Sequence, residues 1–91
     1  MKKSIHAYYD GKVQGVGFRA TILSLAKGYE VIGWVKNLPD GRVVLFVTGD
    51  DLEIEDFLRV IRESHLAGHI ENVTIESANP ETGLKGFRIL A

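Results

Sequence analysis

Apolar and polar residues alternate along parts of this chain, which is typical of strands with one buried face. Residues 4–10 and 70–77 show this alternation, with Ile5, Ala7 and Tyr9 expected on one face of the first strand. Residues 31–36 and 42–48 are rich in β-branched and aromatic side chains, which favour strands. Residues 87–91 read as a short terminal strand, so the chain is expected to have five strands.

Two other stretches repeat their apolar residues every three or four positions, the spacing of one helix face. The first covers residues 19–29, with apolar positions Ile22, Leu25, Ala26 and Tyr29. The second has apolar positions Ile54, Phe57, Leu58 and Ile61. Asp50, followed three residues later by Glu53, resembles a capping box at the start of the second helix.

The elements are separated by segments rich in glycine, proline and asparagine. These are a glycine loop at residues 11–17, turns at 37–41 and 79–86, and a loop at 65–69. The resulting order is β-α-β-β-α-β with a short extra strand. It predicts one domain over residues 1–91 with an α+β, ferredoxin-like sandwich, in which two helices cover one face of a mostly antiparallel sheet.

Composition narrows the function classes. The 91 residues include no cysteine, which excludes disulfides, thiolate catalysis and cysteine-ligated metals. The net charge of −1 does not favour nucleic acid or membrane surfaces as partners. No apolar run is long enough for a signal peptide or a membrane span, so we expect a cytoplasmic protein.

The chemistry is concentrated in GKVQGVGFR, residues 11–19. Glycines let successive N–H groups point into one concavity, and a helix start adds unpaired donors and partial positive charge. The guanidinium of Arg19 can take two phosphate oxygens at once. The loop therefore suits an anion, although a tight strand-to-helix turn would also need glycines.

GKVQGVGFR and the later GWVKN, residues 33–37, resemble the two signatures of the acylphosphatase family, and KGFRIL resembles the last strand of that family. The resemblance covers essentially the whole chain. It implies a small enzyme that hydrolyses the carboxyl–phosphate bond of acyl phosphates. It assigns phosphate binding to seven successive residues, Val13, Gln14, Gly15, Val16, Gly17, Phe18 and Arg19. It makes Arg19 and Asn37 the catalytic pair, with Asn37 orienting the attacking water.

The same resemblance implies that the enzyme needs no metal and no cofactor and takes a small-molecule acyl phosphate. We expect the protein to be a monomer. The chain departs from the family pattern at three positions. Ala20 and Thr21 follow Arg19 where a bulky residue is usual, and Glu30 stands where glycine is common. We expect these departures to affect turnover rate and rigidity more than reaction type.

Three other functions are compatible with parts of the sequence. A non-catalytic module that binds acyl or carbamoyl phosphate, as in hydrogenase-maturation proteins, would use the same loop. An RNA-recognition domain could stack bases on Tyr8 and Phe46, but the chain lacks the RNA-binding motif and Phe46 suits an apolar core. A metal site would need His6, His65 and His69, which offer no clear ligand triad.

Overall fold

The computed structural model describes residues 1 to 91 as a five-stranded sheet with two helices on one of its faces. The elements, in chain order, are β1 (Lys2–Gly11), α1 (Phe18–Ala26), β2 (Val31–Asn37), β3 (Val43–Asp50), α2 (Asp51–Glu63), a 3₁₀ helix (His65–His69), β4 (Ile70–Ala78) and β5 (Phe87–Leu90). Every predicted strand and helix is present. No helix is both long and apolar enough to cross a membrane.

The strand order across the sheet is β4-β1-β3-β2-β5. β3 pairs antiparallel with β1 and β2, and β4 pairs antiparallel with β1. Only β5 runs parallel to its neighbour, β2. The predicted ferredoxin-like, mostly antiparallel arrangement is therefore confirmed.

This topology brings three strand ends together. β1 and β2 both pair antiparallel with β3, so they run in the same direction, and β5 runs parallel to β2. The carboxyl ends of β1, β2 and β5 therefore lie along one edge of the sheet. α1 begins at this edge, because it follows β1 directly through the glycine loop.

The core lies between the helices and the sheet. α1 contributes Ile22 and Ala26, which are buried as their helical spacing predicts. α2 contributes three buried side chains, Ile54, Phe57 and Ile61. From the sheet come the alternating residues predicted for β1 together with others, namely Ile5, Ala7, Tyr9, Val31, Val35, Val43, Leu45 and Val47.

The structure differs from the predictions at residues 27–29 and at residues 65–69. The first helix was expected to reach Tyr29, but it ends at Ala26 and the chain continues in tighter i→i+3 hydrogen bonds up to Tyr29. Gly28 disfavours the helical turn there, while Tyr29 still packs its ring 5.7 Å from that of Phe57. Residues 65–69 are not an irregular loop but a 3₁₀ helix, which buries Leu66 in the core.

The expected capping box at α2 is also wrong. Asp50 does occupy the N-cap position, but its side chain makes no capping hydrogen bond. Its carboxylate accepts a hydrogen bond from the amino group of Met1, which lowers the pKa of Asp50. Glu53 instead accepts from the backbone N–H of Glu30 at 2.7 Å. Both side chains therefore accept hydrogen bonds from groups distant in sequence.

Phe46 is buried, as predicted, but on the face of the sheet opposite the helices. Its ring stacks on Trp34, with centroids 5.6 Å apart, and lies 5.3 Å from His6. Both neighbours are its cross-strand partners. The expected apolar core role of Phe46 is therefore confirmed, but Phe46 packs on the face away from the helices, because strand alternation directs Leu45 and Val47 toward them.

Candidate functional site

A cleft of about 180 Å³ opens where the carboxyl ends of β1, β2 and β5 meet the start of α1. It is small beside the roughly 300–1,000 Å³ of pockets that hold drug-sized ligands. Its lining comes from the glycine loop, the first turn of α1, the end of β2 and β5. These residues are Val13, Gly15, Gly17, Phe18, Arg19, Ala20, Asn37 and Ile89.

The glycine loop turns from β1 into α1 through two left-handed residues. Gly15 has φ 79° and Gly17 has φ 75°, values that residues with a Cβ rarely adopt. A Cβ at either position would meet no atom within 4 Å, so the requirement for glycine comes from backbone conformation rather than space. Gly17 is the N-cap of α1, and no side chain caps the helix. The first N–H groups of α1 thus face the cleft without a helical acceptor.

Two apolar residues anchor the glycine loop and its helix in the core. Val13 and Phe18 are 0% and 2% exposed, and the Phe18 ring lies 5.2 Å from that of Tyr9. Both residues border the cleft, but they are buried in the core. This anchoring explains how a loop with two left-handed glycines is held in one conformation.

The seven residues predicted to bind phosphate do not all border the cleft. Five of them line it, namely Val13, Gly15, Gly17, Phe18 and Arg19. Val16 instead packs against the core. Gln14 turns its side chain away and hydrogen-bonds to the backbone of the β2–β3 turn (residues 38–42).

Arg19 is held at the cleft by the last strand. Its Nη1 donates a hydrogen bond to the backbone oxygen of Leu90 at 3.1 Å. None of the ion pairs in the structure involves Arg19. The guanidinium has five N–H donors, so it keeps most of them, and its full charge, for an anion.

Asn37 is the last residue of β2 and borders the same cleft. Its Oδ1 is buried and has no hydrogen-bond partner within the protein. Leaving a buried acceptor unsatisfied costs about 1–3 kcal/mol. A polar atom placed at such a cost beside an arginine is suited to receive a hydrogen bond from something that enters the cleft.

Three contributors to the cleft were missed by the sequence reading. Ala20 was noted only as a departure from a family pattern, yet it lines the cleft. Ile89 and the Leu90 carbonyl come from β5. The KGFRIL motif identified that strand, but no local signal indicates that β5 pairs parallel with β2 and so ends at this edge.

Comparison with known proteins gives consistent results. A model of the acylphosphatase family matches residues 5–89. An acylphosphatase of Koribacter versatilis is 40% identical over 79 residues, which is 87% of this chain and 72% of that protein. The crystal structure of acylphosphatase from Bacillus subtilis superposes with a TM-score of 0.87 at 27% identity, covering 100% of both chains. This chain also matches 12% of the length of full-length HypF, with a TM-score of 0.85 at 26% identity.

Proposed function

This chain belongs to the acylphosphatase family and hydrolyses acyl phosphates, and from that premise we propose that the carboxyl–phosphate bond is broken in the cleft beside Arg19 and Asn37. The observation that carries the proposal is the convergence of two unlike groups. A guanidinium without an ionic partner and a buried amide oxygen without a donor border one small cleft. One suits a phosphate, and the other suits a water molecule.

The phosphate group would lie against the glycine loop and the start of α1. Backbone N–H groups there and the guanidinium of Arg19 provide donors from several directions. Phosphoryl transfer spreads negative charge over three equatorial oxygens, which such an array can stabilise. The hydrogen bond from Arg19 to Leu90 supports this role, because it holds the guanidinium in place before the substrate arrives.

The attacking water would donate a hydrogen bond to Oδ1 of Asn37. Its oxygen bonds to phosphorus, the bond from phosphorus to the acyl oxygen breaks, the carboxylate leaves with the electron pair, and the water releases a proton to solvent. A carboxylate is a good leaving group, so little acid catalysis is required. Positioning and charge stabilisation can carry most of the rate enhancement.

The acyl group of the bound substrate would extend out of the cleft over Ala20 and Ile89. The other two apolar residues of the lining, Val13 and Phe18, are buried. Ala20 and Ile89 therefore form the accessible apolar surface of the cleft. The small side chain of Ala20 leaves space beside the arginine. We propose that this surface contacts the hydrocarbon part of the substrate.

The proposal extends to the working conditions of the enzyme. We propose a cytoplasmic monomer that acts on a free acyl phosphate and needs neither metal nor cofactor. The support is that Arg19 and the loop amides supply positive charge of the kind a metal would bring. Hydrolysis in the presence of a chelator should proceed at the full rate, and restoration by a divalent ion after chelation would contradict this part of the proposal.

Two variants separate the proposed roles. Arg19→Lys keeps the charge but loses the planar fork, so both phosphate affinity and kcat should fall. Asn37→Ala should leave the Kd for inorganic phosphate nearly unchanged and lower kcat by about 100-fold, because the water matters only as the reaction proceeds. Phosphate titration and acyl phosphate turnover on the same preparation of each variant give both quantities.

Arg59→Lys is the matched control, since Arg59 lies on the exposed face of α2 in ion pairs with Asp56 and Glu63. It should behave as wild type in both measurements. Wild-type kinetics for Arg19→Lys would make Arg19 a structural residue. A parallel loss of affinity and turnover in Asn37→Ala would make Asn37 a phosphate ligand rather than a water-orienting residue.

A further inference from the structure

The side chain of Gln14 links the glycine loop to the strand end that carries Asn37. Its Nε2 donates to the backbone oxygen of Leu38 at 2.8 Å and to that of Arg42 at 2.9 Å. Leu38 directly follows Asn37. Arg42 directly precedes Val43, which is the strand partner of Asn37. No other side-chain hydrogen bond joins the glycine loop to the β2–β3 turn.

Both acceptors belong to the turn's own hydrogen-bond pattern. The oxygen of Arg42 accepts from Leu38 N–H at 2.8 Å, and the oxygen of Leu38 accepts from Gly41 N–H at 3.1 Å. A carbonyl oxygen has two lone pairs, and an amide nitrogen of glutamine has two hydrogens. Gln14 therefore uses the second lone pair of each carbonyl and bridges the two sides of the turn.

The β2–β3 turn is braced internally as well. The carboxylate of Asp40 accepts hydrogen bonds from the backbone N–H of Arg42 and from its side chain. These bonds lower the pKa of Asp40. Because these internal hydrogen bonds make the turn rigid, the hydrogen bonds from Gln14 restrain the whole turn and the adjoining Asn37.

We infer that Gln14 is a positioning residue that sets the distance between the phosphate held by the glycine loop and the water held by Asn37, an inference that rests on the function proposed above. Arg19 and Asn37 are on separate elements, α1 and β2. In-line attack requires the two reactants at a defined separation. Gln14 connects the glycine loop to the turn that follows Asn37, although its own side chain does not border the cleft.

The test compares Gln14→Met and Gln14→Glu. Methionine keeps the length of the side chain but has no donor. Glutamate keeps the shape but presents acceptors to two carbonyl oxygens. Gln14 is exposed, so both variants are expected to fold. Asn79→Asp, an exposed amide-to-acid change at the opposite end of the sheet, controls for the added charge.

We expect Gln14→Met to lower kcat by between ten- and about a hundred-fold, the range for a displaced reactant, while the Kd for inorganic phosphate stays within about twofold. Gln14→Glu should lower kcat at least as much. In an Asn37→Ala background, Gln14→Met should lower kcat no further, because its effect passes through Asn37. Asn79→Asp should match wild type.

Unchanged kcat in Gln14→Met would overturn the inference while leaving the proposed role of Asn37 intact. An equal further loss in the Asn37→Ala background would also overturn it, since the two residues would then act independently. If Asn37→Ala itself turned over at the wild-type rate, the proposed water-orienting role would fail, and the positioning role of Gln14 would fail with it.

Discussion

Gly17 shows how a single residue shapes the site. It has φ 75° and ψ 20° and is the N-cap of α1, whose first intrahelical bond runs from Thr21 N–H to Gly17 O at 3.0 Å. Placing a residue with a Cβ in this left-handed conformation costs about 1–2 kcal/mol of folding free energy. The direction in which the first N–H groups of α1 point therefore depends on glycine here.

Gly17→Ala should destabilise the protein by about 1–2 kcal/mol and weaken phosphate binding, because relief of the strain rotates the loop N–H groups. Chemical denaturation and phosphate titration measure the two effects. Gly68→Ala is the matched control, since Gly68 has no positive φ and its added Cβ would also meet open space. Equal stability and affinity for Gly17→Ala and wild type would show that the loop does not depend on this conformation.

Arg19 is available to bind an anion because its hydrogen-bond partner is uncharged. A carboxylate beside it would neutralise the guanidinium and compete with a phosphate for the same donors. The backbone oxygen of Leu90 orients the side chain without a formal charge. The positive charge of Arg19 is thus positioned but not neutralised.

At the scale of elements, β2 has no room for a side chain against β3 at Gly33. This residue pairs with Val47, and an added Cβ would overlap the backbone oxygen of Phe46. Neither strand can move away freely, because β3 is the central strand of the sheet and β2 also pairs with β5. Gly33 therefore keeps β2, and with it Asn37, in its place.

Gly33→Ala should destabilise the protein by about 1–3 kcal/mol or more, the cost of forcing extra volume into a packed region. Gly28→Ala provides a comparison, because a Cβ there would lie 3.5 Å from Leu25 O, an ordinary contact. It should change the free energy of unfolding by no more than about 0.5 kcal/mol. Similar unfolding curves for the two variants would contradict the close contact at Gly33.

At the scale of the whole molecule, the core encloses one ionisable side chain. Tyr9 is 2% exposed and lies between the sheet and α1. Burial raises the pKa of its hydroxyl well above the ordinary value of 10.0, and the charge of Arg62 opposes this shift. In the unfolded chain the hydroxyl titrates near its ordinary value.

Above pH 10 the unfolded chain releases the Tyr9 proton while the folded protein retains it. The unfolded state then binds fewer protons, so the free energy of unfolding falls by about 1.4 kcal/mol per pH unit from this group. Tyr9→Phe should remove this contribution and make the alkaline loss of stability shallower. Urea unfolding of both proteins over a pH series measures the difference, and parallel curves would show that Tyr9 titrates alike in both states.

The sequence by itself determined the elements and the chemistry of single positions. Alternation identified the buried face of β1, and helical spacing identified most of the core residues of α1 and α2, because burial of a strand or helix face leaves a local periodic pattern. The glycine loop and Arg19 could also be identified from the local sequence, because backbone freedom and side-chain charge are properties of single residues.

Only the tertiary structure decided which of these positions meet. Pairing of β5 with β2 brings Leu90 to Arg19, 71 residues apart in sequence. Gln14 bonds to Leu38 and Arg42, and Glu53 accepts a hydrogen bond from the N–H of Glu30 instead of capping α2. A hydrophobic pattern records that a face is buried but not which element covers it. Partners between distant segments are set when the whole sheet forms and its strand ends align along one edge.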